Sequence, residues 1–376
     1  MGFVSKRTSL LLIPIFVFLF FSSEPAWGKV KHSAPVRGEW VVRFAKNSFF
    51  SRKPFQFSSP AISENALFAG VDKNKFYAVD LRKGKKLWNY STLGAIHAKP
   101  AVAVGNVYFG DAKGNIYALE QKTGKRVWNA QVDGAVMSAP LVLEKQIIFV
   151  TLSKQVKSFD LSTGKELWQT LPLNRDSGFT VLGSSDPFFS AGSVWVGFSD
   201  GTLLAYAPDS GQLQGVYQLG NINERLHDVD ATGLVAGNNL YIPTADGHLF
   251  ALDISKRKIL WEIPIGDVTD PIIENGKIYL TAGNTVYCLE EASGATIWEQ
   301  ELEAPGLSSP ASLGSWIVVM ATKGKMHFLD RTTGDVYFSR HLRGGGSYSD
   351  PVVAENRMFL LTNSARLYSF RLKKKK

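Results

Sequence analysis

The segment from Asn223 to Gly233, NERLHDVDATG, holds the densest group of ionisable side chains in the sequence. Asp228 and Asp230 are two residues apart, and Arg225 and His227 stand beside them. Paired carboxylates can act as general acid and base, or they can bind a metal ion. In extended backbone, however, the two aspartates point to opposite sides, and calcium wants roughly six to eight oxygen ligands. An aspartate that caps a turn or pairs with Arg225, and a surface that contacts another protein, are the better interpretations.

No other group of residues has the spacing of a known catalytic or metal site. The six histidines are scattered, none at H-x-x-x-H spacing, and no G-x-S-x-G, P-loop or H-E-x-x-H motif occurs. The single cysteine, Cys288, lies in the strand-like run VYCLE, where we expect a small buried hydrophobic side chain. One cysteine allows no intramolecular disulfide. The sequence therefore predicts a protein that is not an enzyme and that holds no metal ion and no cofactor.

The N-terminus has the pattern of a secretory signal peptide. A basic pair at 6–7 precedes the apolar run 10–21, and the small residues Ala26 and Gly28 then mark a cleavage site. The apolar run is short for a membrane span, which favours cleavage after Gly28 over an uncleaved anchor. No cysteine lies at this site, so lipid attachment there is not expected. We expect residues 1–28 to direct the chain out of the cytoplasm.

The net charge of +9 is concentrated at the C-terminus, which has the sequence RLKKKK. Such a tail can contact anionic lipid headgroups or nucleic acid, or it can simply be solvated. We expect no nucleic-acid partner and only a weak contact of the tail, residues 373–376, with an anionic membrane. With 45% hydrophobic and 20% charged residues, the rest of the chain can form a packed core.

The sequence between these ends repeats itself. The segments GKKLW (84–88), GKRVW (124–128) and GKELW (164–168) recur every 40 residues. Less regular copies follow, and each copy is preceded by a proline, an apolar strand and a glycine-containing turn. The copies end at Gly215, Trp261, Trp298 and Phe338. Seven prolines and Gly233 stand at equivalent positions and together indicate eight units. The prolines are Pro60, Pro100, Pro140, Pro187, Pro271, Pro310 and Pro351.

Units of about 40 residues with several strands are typical of propeller blades. The last unit, 350–372, lacks its aromatic strand, whereas an orphan strand with Trp40 stands at 38–44. We therefore predict an all-β fold: a single eight-bladed β-propeller over 29–372, closed by pairing of the N-terminal strand with the last blade. Seven blades would result if the weak unit at 210–215 were misread. The repeated tryptophans are expected to pack the gaps between neighbouring blades.

The repeat pattern A-x-D/E-x-x-T-G-K-x-x-W resembles that of pyrroloquinoline-quinone (PQQ) enzymes and their non-catalytic relatives. The dehydrogenase branch implies a cofactor in the central channel, a calcium ion, a catalytic aspartate and commonly a vicinal cysteine pair. Cys288 alone cannot form that pair. A PQQ-dependent dehydrogenase or quinone-binding sensor, and a generic extracytoplasmic protein-binding propeller, are the alternatives to the second branch.

The second branch is the BamB family, accessory propellers of the machinery that inserts β-barrels into the bacterial outer membrane. GFTVLGSSDP (178–187) and ERLHDVDATG (224–233) resemble two stretches of this family, and both lie where the spacing between blades lengthens. The resemblance implies a non-catalytic periplasmic scaffold, peripheral to the outer membrane and monomeric within its complex. The implied partners are the POTRA domains of a BamA-like protein and, by pairing at sheet edges, nascent barrel proteins. It assigns partner binding to Phe179, Val181, Leu182, Arg225, Leu226, Asp228 and Asp230.

One departure from the family pattern concerns charge. The arginine that the family has before Gly183 is here Leu182, and the acidic position that follows is Ser184. A charged anchor is therefore absent from the first stretch, and we expect weaker docking or a changed partner.

Overall fold

The fold is described from a computed structural model of the chain. The described residues are 33–44, 58–71, 74–170, 185–198, 202–219, 233–244, 247–256, 258–304 and 306–374, all within the compact unit Ser33–Lys376. The proposed signal peptide, residues 1–28, lies outside them. Within the described ranges, no helix has the length and apolarity needed to span a membrane.

Thirty-two strands form eight antiparallel sheets of four strands each, arranged as the blades of a propeller. Blades 1 to 4 consist of β2 (Ala61–Ile62), β3 (Ala66–Val71), β4 (Lys75–Asp80), β5 (Lys86–Ser91); β6 (Ala101–Ala103), β7 (Asn106–Gly110), β8 (Asn115–Glu120), β9 (Arg126–Gln131); β10 (Leu141–Val142), β11 (Gln146–Val150), β12 (Val156–Asp160), β13 (Glu166–Gln169); and β14 (Phe188–Ser190), β15 (Ser193–Gly197), β16 (Thr202–Tyr206), β17 (Leu213–Gln218).

Blades 5 to 8 continue the order, and the first strand of the chain completes the last blade. Their strands are β18 (Leu234–Ala236), β19 (Asn239–Pro243), β20 (His248–Asp253), β21 (Lys258–Pro264); β22 (Ile272–Glu274), β23 (Lys277–Ala282), β24 (Thr285–Glu290), β25 (Thr296–Glu301); β26 (Ala311–Leu313), β27 (Trp316–Met320), β28 (Lys325–Asp330), β29 (Val336–His341); and β30 (Val352–Ala354), β31 (Arg357–Leu361), β32 (Arg366–Leu372) with β1 (Val36–Arg43).

The prolines mark the starts of the blades, as the sequence predicts. The first strand of every blade begins one residue after a repeat proline, or after Gly233 in blade 5. A proline has no backbone N–H to donate, and this position can lack one because the hydrogen bonds between the strands begin only at the next residue. The degenerate unit around 210–215 forms a complete fourth blade, so the eight-bladed prediction is confirmed and the seven-bladed alternative is wrong.

The ring closes through the N-terminal strand, as predicted. β1 pairs antiparallel with β32, from Val36 opposite Leu372 to Arg43 opposite Arg366. Eight apolar clusters then follow the ring, each combining residues of two consecutive blades, including blades 8 and 1. Burial of these apolar faces between blades is the main stabilising contribution.

The repeated tryptophans pack between blades, which confirms their predicted role. Trp128 of blade 2 lies over Gly164 of blade 3, so closely that a Cβ on this glycine would stand 2.5 Å from Cδ2 of the ring. The ring also donates a hydrogen bond from Nε1 to the carbonyl oxygen of Leu161, at 3.0 Å. The same stacking on the glycine of the next blade recurs for Trp40, Trp88, Trp168, Trp261 and Trp298.

A β-bulge aims each of these rings. In blade 3, Ser158 pairs with Trp168 and Phe159 pairs with Glu166, so Leu167 is the extra residue. The same register shift occurs one residue before the aromatic position in all eight blades. Bulges redirect side chains and increase local twist. Here the bulge turns the ring toward the next blade and leaves the preceding side chain, such as Leu167, exposed.

Candidate functional site

The seven side chains to which the sequence assigns partner binding lie outside the described residues. Phe179, Val181 and Leu182 fall in segment 171–184, and Arg225, Leu226, Asp228 and Asp230 fall in segment 220–232. The assignment therefore stays a prediction. What the structure describes is where the chain leaves and re-enters the blades on either side of these segments.

Both segments belong to connections between the last strand of one blade and the first strand of the next. One connection runs from the end of β13 at Gln169 to Phe188, and the other from the end of β17 at Gln218 to Leu234. The corresponding connection between blades 1 and 2 covers only residues 92–100. Because all such connections emerge at the same end of the strands, the two long ones flank blade 4 on one face of the propeller. This face is the candidate docking surface.

The Ser-Asp-Pro motif of the first long connection does a structural task that sequence reasoning missed. Oδ1 of Asp186 accepts a hydrogen bond from the backbone N–H of Ala139 in the connection to blade 3, at 2.6 Å. Asp350 acts in the same way before blade 8: Oδ1 accepts from the N–H of Ser309 and Oδ2 accepts from Oγ of Ser59. These carboxylates thus join neighbouring blades around the central channel. The Asp-Pro pairs in the sequence were the available signal.

The central channel contains a cavity of about 890 Å³, lined by residues of the blade starts. Its carboxylates include Asp186, Asp350 and Glu274, and Glu274 forms an ion pair with Nη1 of Arg331 at 2.8 Å. Within the described ranges, no three His, Cys, Asp or Glu side chains converge as metal ligands would. The carboxylates whose contacts are described are engaged in joining blades, so this lining does not fit the calcium and quinone site that the dehydrogenase resemblance implies.

Among the carboxylates that the structure describes, Asp111 at the junction of blades 1 and 2 is the most buried. Its oxygens accept hydrogen bonds from the N–H of Gly94, from the side-chain amide of Asn115 and from the hydroxyl of Tyr117. Burial raises the pKa of Tyr117 to about 12, so this hydroxyl remains a donor. A carboxylate surrounded by donors in this way holds a turn in place.

Two further titratable groups are buried in single blades. Burial lowers the pKa of His327 to about 4, and its Nδ1 lies 2.9 Å from Oγ of Ser339. Cys288 is fully buried, and burial raises the pKa of its thiol, in agreement with the expectation of an apolar packing role. The two groups belong to blades 7 and 6, away from blade 4 and the long connections that flank it.

Comparison with known proteins identifies a matching family and several relatives. The family model described as outer membrane protein assembly factor BamB matches residues 72–300 and 282–374. The outer membrane protein assembly factor BamB of Yersinia pestis is 31% identical over 206 residues, 53% of this chain and 52% of that protein. The chain thus spans about half the length of the curated relatives it matches.

Similar solved structures support the fold. The crystal structure of BamB from Moraxella catarrhalis matches with a TM-score of 0.77 at 18% identity, covering 89% of this chain and 99% of that chain. The quinohemoprotein alcohol dehydrogenase from Comamonas testosteroni matches with a TM-score of 0.75 at 14% identity, covering 91% of this chain and 77% of that chain. At these identities the likeness concerns the propeller alone. The family match, in contrast, covers most of the sequence from residue 72 to residue 374, and the chain belongs to the BamB family of outer membrane protein assembly factors.

Proposed function

We propose that the chain is a non-catalytic scaffold of the machinery that assembles β-barrel proteins in the outer membrane. The observation that carries the proposal is membership of the BamB family, whose relatives are named as assembly factors. A rigid ring that presents connections on one face suits a scaffold. The use of Asp186, Asp350 and Glu274 to join blades also favours a binding role over chemistry in the channel.

The proposed partner is a BamA-like protein, bound through its POTRA domains. Six positions in the second stretch match the BamB pattern: Arg225, Leu226, Asp228, Val229, Asp230 and Thr232. Both stretches belong to the two long connections that flank blade 4, so their side chains can reach one partner surface together. The carboxylates of Asp228 and Asp230 would meet basic side chains, and Phe179, Val181 and Leu182 would supply the apolar centre.

The proposed place of action is the periplasm, at the outer membrane. Export would depend on residues 1–28, and without a cysteine near the cleavage site the mature protein would not be lipidated there. Attachment to the membrane region would then rest on the partner, with a weak contribution from the basic tail 373–376. When cells that lack the partner are fractionated, we expect most of the protein in the soluble fraction and little of it in the membrane fraction.

The proposal is tested by titrating the purified POTRA region of the host's BamA with the wild-type chain and with Asp228→Ala/Asp230→Ala. Loss of two charged contacts should weaken binding by at least about tenfold, and the remaining binding should depend less on salt. Asp209→Ala is the matched control. This exposed aspartate lies in the turn between β16 and β17, on the opposite face of blade 4, and its removal should leave affinity unchanged.

Each outcome of this titration decides a different part of the proposal. If wild type fails to bind the POTRA region, the function is wrong. If wild type binds and the double variant binds equally well, the function stands and the residue assignment is wrong.

Leu182→Arg restores the family's charge and should tighten binding several-fold. Unbiased crosslinking in cells separates a BamA-like partner from any other protein partner of a generic propeller.

A further inference from the structure

Positive charge collects on the face of the propeller opposite the candidate docking surface. In each blade the third strand ends and the fourth begins on this face, because neighbouring strands alternate in direction. The turns between these strands in blades 1 and 2 are LRKGK (81–85) and QKTGK (121–125), and a further arginine follows the second turn. Six exposed side chains here are cationic: Arg82, Lys83, Lys85, Lys122, Lys125 and Arg126.

Blade 8 extends this charge, because both ends of the described chain emerge beside it. The end of β32 pairs with the start of β1, and the N–H of Lys373 donates to the carbonyl oxygen of Pro35 at 2.9 Å. Arg37, Lys373 and Lys374 are the exposed cations at this junction, and two more lysines follow in the sequence. We call these nine described cations of blades 8, 1 and 2 the basic sector.

The three blades of the basic sector are consecutive in the ring. Trp40 of blade 8 lies on Gly84 in the turn of blade 1, and Trp88 of blade 1 lies on Gly124 in the turn of blade 2. The turns therefore follow one another around the rim of the face. Their cations form one continuous region of the surface.

The carboxylates on the same face of these blades do not cancel the charge. Glu39 forms ion pairs with two arginines of blade 8 that are not counted in the sector. Asp80 and Glu120 are half-buried and accept hydrogen bonds within their own turns. Glu64 and Glu355 are exposed. The nine cations therefore remain in clear excess.

The equivalent turns of blades 6 and 7 have the opposite charge. Their carboxylates, counted with the last residues of the preceding strands, are Glu290, Glu291, Asp330 and Asp335. Arg331, in the turn of blade 7, is paired with Glu274. The positive charge is therefore a property of one sector of the ring and not of the repeat.

A strained apolar residue lies within the basic sector. Val104 and Gly105 connect β6 to β7 with φ of +45° and +73°, and the carbonyl oxygen of Gly105 accepts from the N–H of Gln121 in the adjoining basic turn. Val104 is 80% exposed, more than any other large apolar side chain that the structure describes. Blade 6 makes the same turn with Asn275 and Gly276, the pair that this conformation favours. A β-branched residue is disfavoured there, and such strain is typical of functional positions.

We propose that the basic sector lies on an anionic lipid bilayer, with Val104 inserted among the headgroups. A charged bilayer surface attracts cations spread over a broad area and requires no shaped pocket, and the turns of three neighbouring blades supply such an area. An exposed apolar side chain among basic residues is typical of contacts with the membrane interface. The contact includes the start of the basic tail but extends well beyond it.

The proposal rests on the proposed export of the chain and is independent of the proposed BamA-like partner. With the basic sector on the bilayer, the candidate docking surface points away from the membrane, where it is accessible to a soluble domain. Asp228→Ala/Asp230→Ala should bind vesicles as wild type does. The two proposals therefore fail separately.

Flotation of the full chain with lipid vesicles measures the contact. At about 0.05 M salt, vesicles with about 30% phosphatidylglycerol in phosphatidylcholine should be bound at least about tenfold more tightly than phosphatidylcholine alone. At about 0.5 M salt this preference should largely disappear, because the charges are screened. Retention of the apolar segment 10–21 would raise binding to both kinds of vesicle, so the preference reports the charge.

Two double variants with the same change in net charge identify the face. Lys83→Gln/Lys122→Gln should weaken binding to the anionic vesicles by about tenfold or more, since each basic side chain near such a surface contributes about fivefold. Lys113→Gln/Lys323→Gln is the matched control. These exposed lysines lie in turns on the opposite face, and their removal should leave binding close to that of wild type.

Val104→Asn separates a membrane contact from a structural role. Asparagine tolerates the left-handed region better than valine, so the variant should unfold at a higher urea concentration than wild type. Loss of the apolar side chain should nevertheless weaken binding to the anionic vesicles by at least about twofold. A more stable variant with unchanged vesicle binding would remove Val104 from the contact.

Three outcomes overturn the proposal. The first is equal binding to anionic and neutral vesicles at low salt, which would leave an acidic protein as the occupant of the sector. The second is equal loss of binding in the two double variants, which would assign the attraction to net charge alone. The third is complete loss of binding when the lysines at 373–376 are replaced by glutamine, together with no effect of Lys83→Gln/Lys122→Gln. The tail alone would then contact lipid.

Discussion

Replacing Gly164 by alanine should destabilise the propeller through a contact with the neighbouring blade. The residue has φ of +71°, so alanine must adopt the left-handed region at a cost of about 1 kcal/mol. Its Cβ would also stand 2.5 Å from Cδ2 and 2.6 Å from Cε3 of Trp128, well inside van der Waals contact. Forcing a buried indole to move adds about 1–3 kcal/mol. The total expected loss, the sum of these two costs, is therefore about 2–4 kcal/mol.

The chain supplies a matched control for the backbone part of this cost. Gly105 has φ of +73°, and a Cβ on it would meet no atom within 4 Å. Gly105→Ala should therefore cost only about 1 kcal/mol. Equilibrium urea unfolding, monitored by circular dichroism, measures the free energy of unfolding of both glycine variants. Trp128→Ala should by itself cost about 3–5 kcal/mol, and this variant provides the background for a double-mutant cycle.

The cycle isolates the contact between the ring and the glycine. In the Trp128→Ala background, Gly164→Ala should cost no more than Gly105→Ala, because the ring that it strikes is gone. The reasoning is refuted if Gly164→Ala and Gly105→Ala are equally destabilising in wild type. It is also refuted if the extra cost of Gly164→Ala survives the removal of Trp128.

Two further changes test the buried histidine and the ring closure. The pKa of His327 is lowered to about 4 in the folded chain but lies near 6.5 when unfolded, so the unfolded state binds more protons between these values. The free energy of unfolding should thus fall by up to about 3 kcal/mol from about pH 7 to about pH 4, and His327→Gln should flatten that part of a urea series across pH. Glu39 of β1 forms ion pairs with Nε of Arg357 at 3.0 Å and with Arg371. Glu39→Gln should therefore lower the free energy of unfolding by about 1–3 kcal/mol and speed amide hydrogen exchange in β1. Unchanged exchange would contradict a role of Glu39 in holding β1 to the last blade.

The blades were predictable because each blade meets the same physical requirement. A proline before each first strand, a turn glycine and an aromatic residue recur at fixed spacing, and the eight sheets begin where these signals place them. The closure was predictable for the same reason. The strand that contains Trp40 belongs to no complete unit at the N-terminus, and the last unit lacks its aromatic strand. The topology of a repeat protein can therefore be predicted from the period of its sequence, without any information on side-chain contacts.

The contacts that orient the rings were not predictable from the repeat. A bulge before each aromatic residue depends on the pairing register, which the alternation of Leu167 and Trp168 does not reveal. The joining role of Asp186 and Asp350 also depends on which backbone N–H groups the neighbouring blade presents. As for the candidate site, its seven side chains stay a prediction from resemblance, since they lie outside the described residues.

The irregularity of blade 4 is compensated within the same strand. Gly215 stands at the aromatic position, but Tyr217, two residues later, packs on Trp195 with the ring centroids 5.2 Å apart and the planes tilted by 42°. Trp128 packs on Tyr108 of blade 2 in nearly the same way, at 5.9 Å and 41°. A Cβ on Gly215 would stand 2.9 Å from Cε2 of Tyr217, so the glycine leaves the space that this ring occupies. An aromatic contact is therefore kept at this blade boundary although the tryptophan of the repeat is absent, because burial of a large ring there stabilises the packing of neighbouring blades.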